Sequence, residues 1–255
     1  MAERPLILVT NDDGVHAPGI VALRSALRAV GDVVTVAPSE EQSAKSHAIT
    51  LHRPLRHRVH EENVHSVDGT PADCVYVALH HAELLPRLPS LVVSGINHGP
   101  NLGNDIFYSG TVAGAREGAL RGIPSIAFSN MAPMDMARAA EMATELSRRL
   151  LACSTPDAQA PLLNVNFPRD FQGVRATRLG HRHYAEGVDV RSDPRGREYF
   201  WIGGPGGVEH PPLDGSDTEA VDARFVSVTP LMLRSTHAEH FGIAAFVAGA
   251  PLELP

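Results

Sequence analysis

Five short apolar runs constrain this chain more than any other feature. They are Leu6-Ile7-Leu8-Val9, Val33-Val34-Thr35-Val36, Leu91-Val92-Val93, Ile126-Ala127-Phe128 and Leu162-Leu163-Asn164-Val165. Each is too short for a buried helix and stops at polar or turn-forming residues. Such runs are strands covered on both faces. Segments with a helical period lie between them. Pro18-Gly19 opens one, with Ile20, Leu23, Leu27 and Val30 on a single face. Thr70-Pro71-Ala72-Asp73 opens another, with a capping Thr, Pro at the first position and an acid in the first turn. Further helices are predicted over 111–121, closed by Gly122 and Pro124, and over 134–151. Buried strands joined by helical crossovers demand a parallel sheet with helices on both faces. The predicted fold class is therefore α/β, with a doubly wound, Rossmann-like core over residues 1–168.

Past Pro168 the texture changes. Residues 173–179, 184–190, 198–202 and 224–231 read as strands, 236–244 as a short helix, and the tail from 248 as frayed. Short strands are also expected at 49–51, 56–59 and 64–67. Asp193-Pro194-Arg195-Gly196 is a turn, giving a hairpin over about 181–203 that carries Phe200 and the only tryptophan, Trp201. A lone hairpin is marginal in water and its edges want cover. Residues 169–255 are therefore expected to complete the same domain and to carry an oligomerisation arm.

The 255 residues hold 22 Lys+Arg against 29 Asp+Glu, a net charge of -7, which argues against a nucleic-acid coat protein. Cys74 and Cys153 cannot form a disulfide framework and are expected to be inert packing residues. The N-terminus has no signal-peptide pattern, and no run approaches the roughly 18 apolar residues of a membrane span. A cytoplasmic location is expected. The only lysine, Lys45, reads as a solvated loop charge. The 14 histidines show no zinc spacing, and His98 is the one to watch.

Ligands of open parallel sheets bind outside the carboxyl ends of the strands. Asn11-Asp12-Asp13-Gly14 follows the first run, Ser39-Glu40-Glu41-Gln42-Ser43 the second, Ser94-Gly95-Ile96-Asn97 the third and Ser129-Asn130 the fourth. These are carboxylate, amide and hydroxyl oxygens, suited to Mg²⁺, Mn²⁺ or Ca²⁺. Asp-Asp-Gly is also an ordinary turn, but two crowded carboxylates at this place call for a cation. The Gly- and Asn-rich loop 97–105 leads to Ser109-Gly110-Thr111 at a helix entrance, where free N–H groups can receive an oxyanion. The hydroxyls of Ser109 and Thr111 can add donors. A cation beside an anion hole is equipment for phosphoryl chemistry. Neither a P-loop nor a dinucleotide fingerprint is present, and Gly110-x3-Gly114-x3-Gly118 reads as close helix packing.

These residues resemble a known family. Ile7-Leu8-Val9-Thr10-Asn11-Asp12-Asp13-Gly14, Val67-Asp68-Gly69-Thr70-Pro71-Ala72-Asp73, Ser94-Gly95-Ile96-Asn97-His98-Gly99-Pro100-Asn101-Leu102-Gly103 and Tyr108-Ser109-Gly110-Thr111-Val112-Ala113-Gly114 are similar, in order, to blocks of the SurE survival proteins. The resemblance implies a metal-dependent 5′/3′-nucleotidase, with one divalent cation, Mg²⁺ or Mn²⁺, held by Asp12, Asp13, Ser43 and Asn97. It implies a homodimer, or a tetramer of paired dimers, with exchanged C-terminal arms. On this reading a nucleoside monophosphate is attacked by metal-activated water. Asn101, Ser109, Gly110 and Thr111 bind the phosphate, and Asn11 orients the cluster or contacts the phosphate. Two alternatives stay open: Asp12 as covalent nucleophile, and a non-catalytic nucleotide- or metal-binding regulator.

Overall fold

The computed structural model describes residues 3–131, 135–153, 159–184, 187–203 and 207–249. The elements run in chain order: β1 (Leu6–Thr10), α1 (Pro18–Leu27), β2 (Asp32–Pro38), β3 (His57–Glu61), β4 (Val64–Val67), α2 (Pro71–His80), β5 (Leu91–His98), α3 (Gly110–Leu120), β6 (Ser125–Asn130) and α4 (Met136–Ala152). There follow β7 (Leu162–Phe167), β8 (Val174–Ala176), β9 (His183–Tyr184), β10 (Val188–Ser192), β11 (Glu198–Ile202), β12 (Val208–Glu209), α5 (Asp217–Asp222), β13 (Val226–Pro230) and α6 (Phe241–Val247).

One sheet carries the order β3-β4-β2-β1-β5-β6-β7-β13-β8. From β4 to β7 every pairing is parallel, as the buried runs require. The period of two in β1 decides the layers. Ile7 and Val9 meet Ile20, Leu23 and Leu27 of α1 and Ala139 and Ala143 of α4 on one face. Leu6 and Leu8 meet Cys74 and Val75 of α2 on the other. Farther along that second face, α3 sets Val112 and Ala115 against Ala127 and Leu162. It sits close because it carries glycine: a Cβ at Gly118 would lie 2.6 Å from Val92 Cγ2, and one at Gly114 2.8 Å from Thr10 Cγ2. The expected helix packing of these glycines is therefore what the sheet exploits.

Several expectations change. Residues 49–51 are not a strand, because the Thr50 N–H and hydroxyl both donate to Asp73 at the start of α2, at 2.8 and 2.6 Å. Residues 94–98, expected as loop, belong to β5, which pairs Asn97 with Ser129 and His98 with Asn130. The predicted 173–179 strand shortens to β8. The predicted 184–190 strand divides into β9 and β10, and residues 185–186 lie outside the described residues. The expected start of α4 at Met134 also lies outside them, and Asp135 caps that helix. Cys74 is buried as expected, but Cys153 is exposed just past the end of α4. The sequence pattern missed α5, a six-residue helix capped by Ser216.

The hairpin forms as predicted. β10 pairs with β11, and the Asp193 carboxylate accepts the N–H groups of Arg195 and Arg197 to close the turn. Its rings stay uncovered: Phe200 is 61% and Trp201 62% exposed. β8 reaches the main sheet only through β13, which lies antiparallel to β7. Among the described residues no helix is long and apolar enough to cross a membrane.

Candidate active site

The carboxyl ends of β1, β2 and β5 and the entrance of α3 converge on a cleft of about 370 Å³. That volume lies within the range of small-molecule sites. Asp12, Ser43, Asn97, Asn101 and Ser109 line it, joined by Ala44, His98, Pro100, Asp105, Tyr108 and Tyr184. Sequence-predicted residues from four separate segments thus line one cleft, whereas Asn11, Asp13, Gly110 and Thr111 are not among its lining residues.

Asp12 stands at the end of β1 with only 4% of its surface exposed. Its Oδ1 accepts the Thr111 hydroxyl at 2.5 Å. Burial pushes its pKa up to about 6, partly offset by the Thr111 hydroxyl and N–H, while the charge of Asp13 adds to the rise. Thr111 therefore faces Asp12 with both donors rather than the open cleft. Gly110 lets α3 approach: a Cβ there would sit 2.8 Å from Asp12 Cβ and 2.9 Å from its Oδ2. Burial also raises the pKa of Asp13, whose Oδ2 accepts the His98 N–H at 3.1 Å.

Asn97 donates its amide to the Gly99 carbonyl at 2.8 Å, which leaves its Oδ1 as the available atom. Ser43 is exposed and donates to Glu41 Oε1 at 2.8 Å, with its oxygen lone pairs still free. Asn11 lies behind the cleft. Its amide donates to the Gly14 carbonyl at 2.9 Å, and its buried Oδ1 has no hydrogen-bond partner. Lys45 is exposed and is not among the cleft-lining residues.

This donor set fits a hard divalent cation. The atoms that Asp12, Asp13, Ser43 and Asn97 leave available are all oxygen, and burial holds both carboxylates against ionisation. Among the described residues no group of three or more His, Cys, Asp or Glu could hold a metal. A site here must use the amide and hydroxyl oxygens.

Asn101 is fixed more firmly than the sequence suggests. Its N–H donates to Asn166 Oδ1 at 2.7 Å, its side-chain amide to Ser129 Oγ at 2.7 Å, and its carbonyl accepts Asn164 and Asn166 at 2.8 and 3.0 Å. One side-chain amide hydrogen remains for a ligand. Ser109 caps α3 by accepting the Val112 N–H at 3.0 Å, which leaves its own hydroxyl hydrogen to donate. Sequence reading set Ser129 among the oxygen-bearing residues at the strand ends but gave no role to Asn164, Asn166, Asp105 and Tyr184. Only the Asn-x-Asn of β7 and the Ser-Asn ending of β6 carried a signal, since period-two positions at strand ends share one face with Asn101.

Fold and site define a class: a doubly wound α/β protein with a cleft lined by carboxylate, amide and hydroxyl groups at the carboxyl edge of its parallel sheet. A family model, survival protein SurE, matches residues 7–186, and the chain belongs to the SurE family. It is 56% identical over 249 residues to a protein of Sorangium cellulosum named 5′-nucleotidase SurE, covering 96% of each chain. Another so named, from Vibrio vulnificus, is 47% identical over 239 residues, covering 91% of this chain and 92% of that one. The crystal structure of SurE protein from Aquifex aeolicus superposes with a TM-score of 0.83 at 40% identity, covering 96% of this chain and all of the other.

Proposed function

We propose that the chain is a metal-dependent phosphatase that hydrolyses nucleoside 5′-monophosphates, and 3′-monophosphates as well, to nucleoside and phosphate. The observation that carries this reading is the convergence of Asp12, Ser43, Asn97, Asn101 and Ser109 on one cleft, in a chain 56% identical to a protein named 5′-nucleotidase. Asp12, Asp13, Ser43 and Asn97 would hold one divalent cation, Mg²⁺ or Mn²⁺. When bound, it supplies positive charge against the phosphoryl oxygens and acidifies water. Ser109 and Asn101 donate to the remaining phosphate oxygens, joined by the Gly110 N–H at the helix entrance. Thr111 fixes the Asp12 carboxylate, and Asn11 holds the turn through Gly14.

The same reading makes the chain a homodimer, or a tetramer of paired dimers, in the cytoplasm. Its support is the hairpin, where Phe200, Trp201 and the 94%-exposed Ile202 lie uncovered. The two cysteines, both free, agree with a reducing compartment.

Phosphate release from a panel of nucleoside monophosphates, with EDTA or with added Mg²⁺ or Mn²⁺, tests the activity. Release that is abolished by EDTA and restored by either ion is expected. Equal release in EDTA would overturn the metal assignment.

A further inference from the structure

Besides its oxygen donors, the cleft is lined by Asp105, Tyr108 and Tyr184. The Tyr184 ring is held at its edge and covered on one face. Its hydroxyl donates to Asp105 Oδ1 at 2.7 Å, and the Arg182 guanidinium lies 5.2 Å from its ring centroid. Arg182 also ion-pairs with the other Asp105 oxygen, so the two charges neutralise each other. Burial and Asp105 push the phenol up to about 12, which keeps it a donor at neutral pH.

This part of the lining joins two distant segments. Asp217, fully buried, accepts the Gly103 N–H at 2.9 Å and the Gly180 N–H at 2.7 Å. It thereby clamps the turn carrying Asp105 to the strand carrying Tyr184. A ring kept only for packing would be covered, yet Tyr184 is 52% exposed and borders the cleft. The cleft is thus lined both by hydroxyl and amide groups and by an aromatic ring that Asp105 and Arg182 hold in place.

We propose that Tyr184 is the platform on which the substrate nucleobase stacks, with Asp105 and Arg182 as positioning residues that fix its ring. This rests on the nucleotidase reading above. Every base has a π-face, so the platform tolerates all four and favours purines by overlap.

The test compares kcat/KM for AMP, CMP and ribose 5-phosphate, which shares the sugar and phosphate but lacks the base. Wild type, Tyr184→Phe, Tyr184→Leu and Tyr184→Ala are measured, with folding checked by circular dichroism melting. Wild type is expected to favour AMP over ribose 5-phosphate by about tenfold or more, the scale of base–aromatic stacking. Tyr184→Ala and Tyr184→Leu should collapse that ratio through KM rather than kcat, and erase the preference for AMP over CMP. Tyr184→Phe should retain most of it. An AMP to ribose 5-phosphate ratio unchanged in the Ala and Leu variants overturns the platform, as does a Phe variant that loses it completely. A wild type that cleaves both substrates without preference overturns the platform and leaves the phosphatase reading standing. A wild type that cleaves no phosphomonoester overturns both.

Discussion

At the end of β1 the chain buries a carboxylate, and on the β10–β11 hairpin it exposes a tryptophan. Asp12 is 4% exposed and Trp201 62%. Both invert the usual distribution of polar and apolar side chains. Each is costly in an isolated chain: the buried charge lacks a counter-ion and the rings lack cover. Glu117, on α3, shows the contrast. It is buried to 3% exposure, yet His47 at 2.9 Å and Arg121 at 2.9 Å answer its charge from within the chain. A buried charge answered internally supports the fold. On the proposed reading, the two left unanswered are where a cation and a second subunit would bind.

The largest effect that can break this comparison is in Asp12→Asn. We expect kcat/KM for nucleoside monophosphates to fall on the order of a thousandfold. The melting temperature in EDTA should hold or rise, because an uncompensated buried charge has been removed. An equal loss of stability would make Asp12 a structural residue like Glu117.

Glu117→Gln should do the reverse, lowering stability by about 1–3 kcal/mol at pH 7 by leaving its partners unmatched. The pH dependence has a definite sign. Burial pushes the Glu117 carboxyl up, but hydrogen bonds and charge from His47 and Arg121 outweigh it and hold its pKa below the usual 4.5. Its stabilisation is therefore present above about pH 4.5 and lost as pH falls through the folded value. Melts of wild type and variant should converge in acid, and a constant gap would disprove the pairing.

The smallest effect on the chain's own stability is expected on the hairpin. Replacing Phe200 and Trp201 together by Ser should shift thermal stability of the monomer by less than about 0.5 kcal/mol. On the proposal that the hairpin joins two subunits, sedimentation should nevertheless show a shift from dimer to monomer. An unchanged sedimentation coefficient would overturn the hairpin as a subunit contact.

The central sheet was legible because its strands are buried on both faces and its helices carry clear caps, as in the Thr70–Asp73 capping box. The acids and amides of the site were legible by position, each following an apolar run. What was hidden depends on contacts between distant segments. The Tyr184–Asp105 bond spans 79 residues and leaves no local pattern. Thr50 lost its expected strand to a carboxylate 23 residues away. Helix α5 is too short to display a period. Asn97 lines the cleft but was read as loop, because Gly95 interrupts the apolar run before β5 ends.

The insertion of β13 between β7 and β8 has a consequence for how the protein is made. Synthesis proceeds from the N-terminus, so the sheet through β7 can close while later residues are still being added. β8 then has no docking edge until residues 226–230 emerge and lie down beside β7. The Gly103 turn likewise waits for Asp217. The Asp217 contacts that tie the Gly103 turn to Gly180 therefore cannot form until residue 217 has been made, long after the carboxylates of β1.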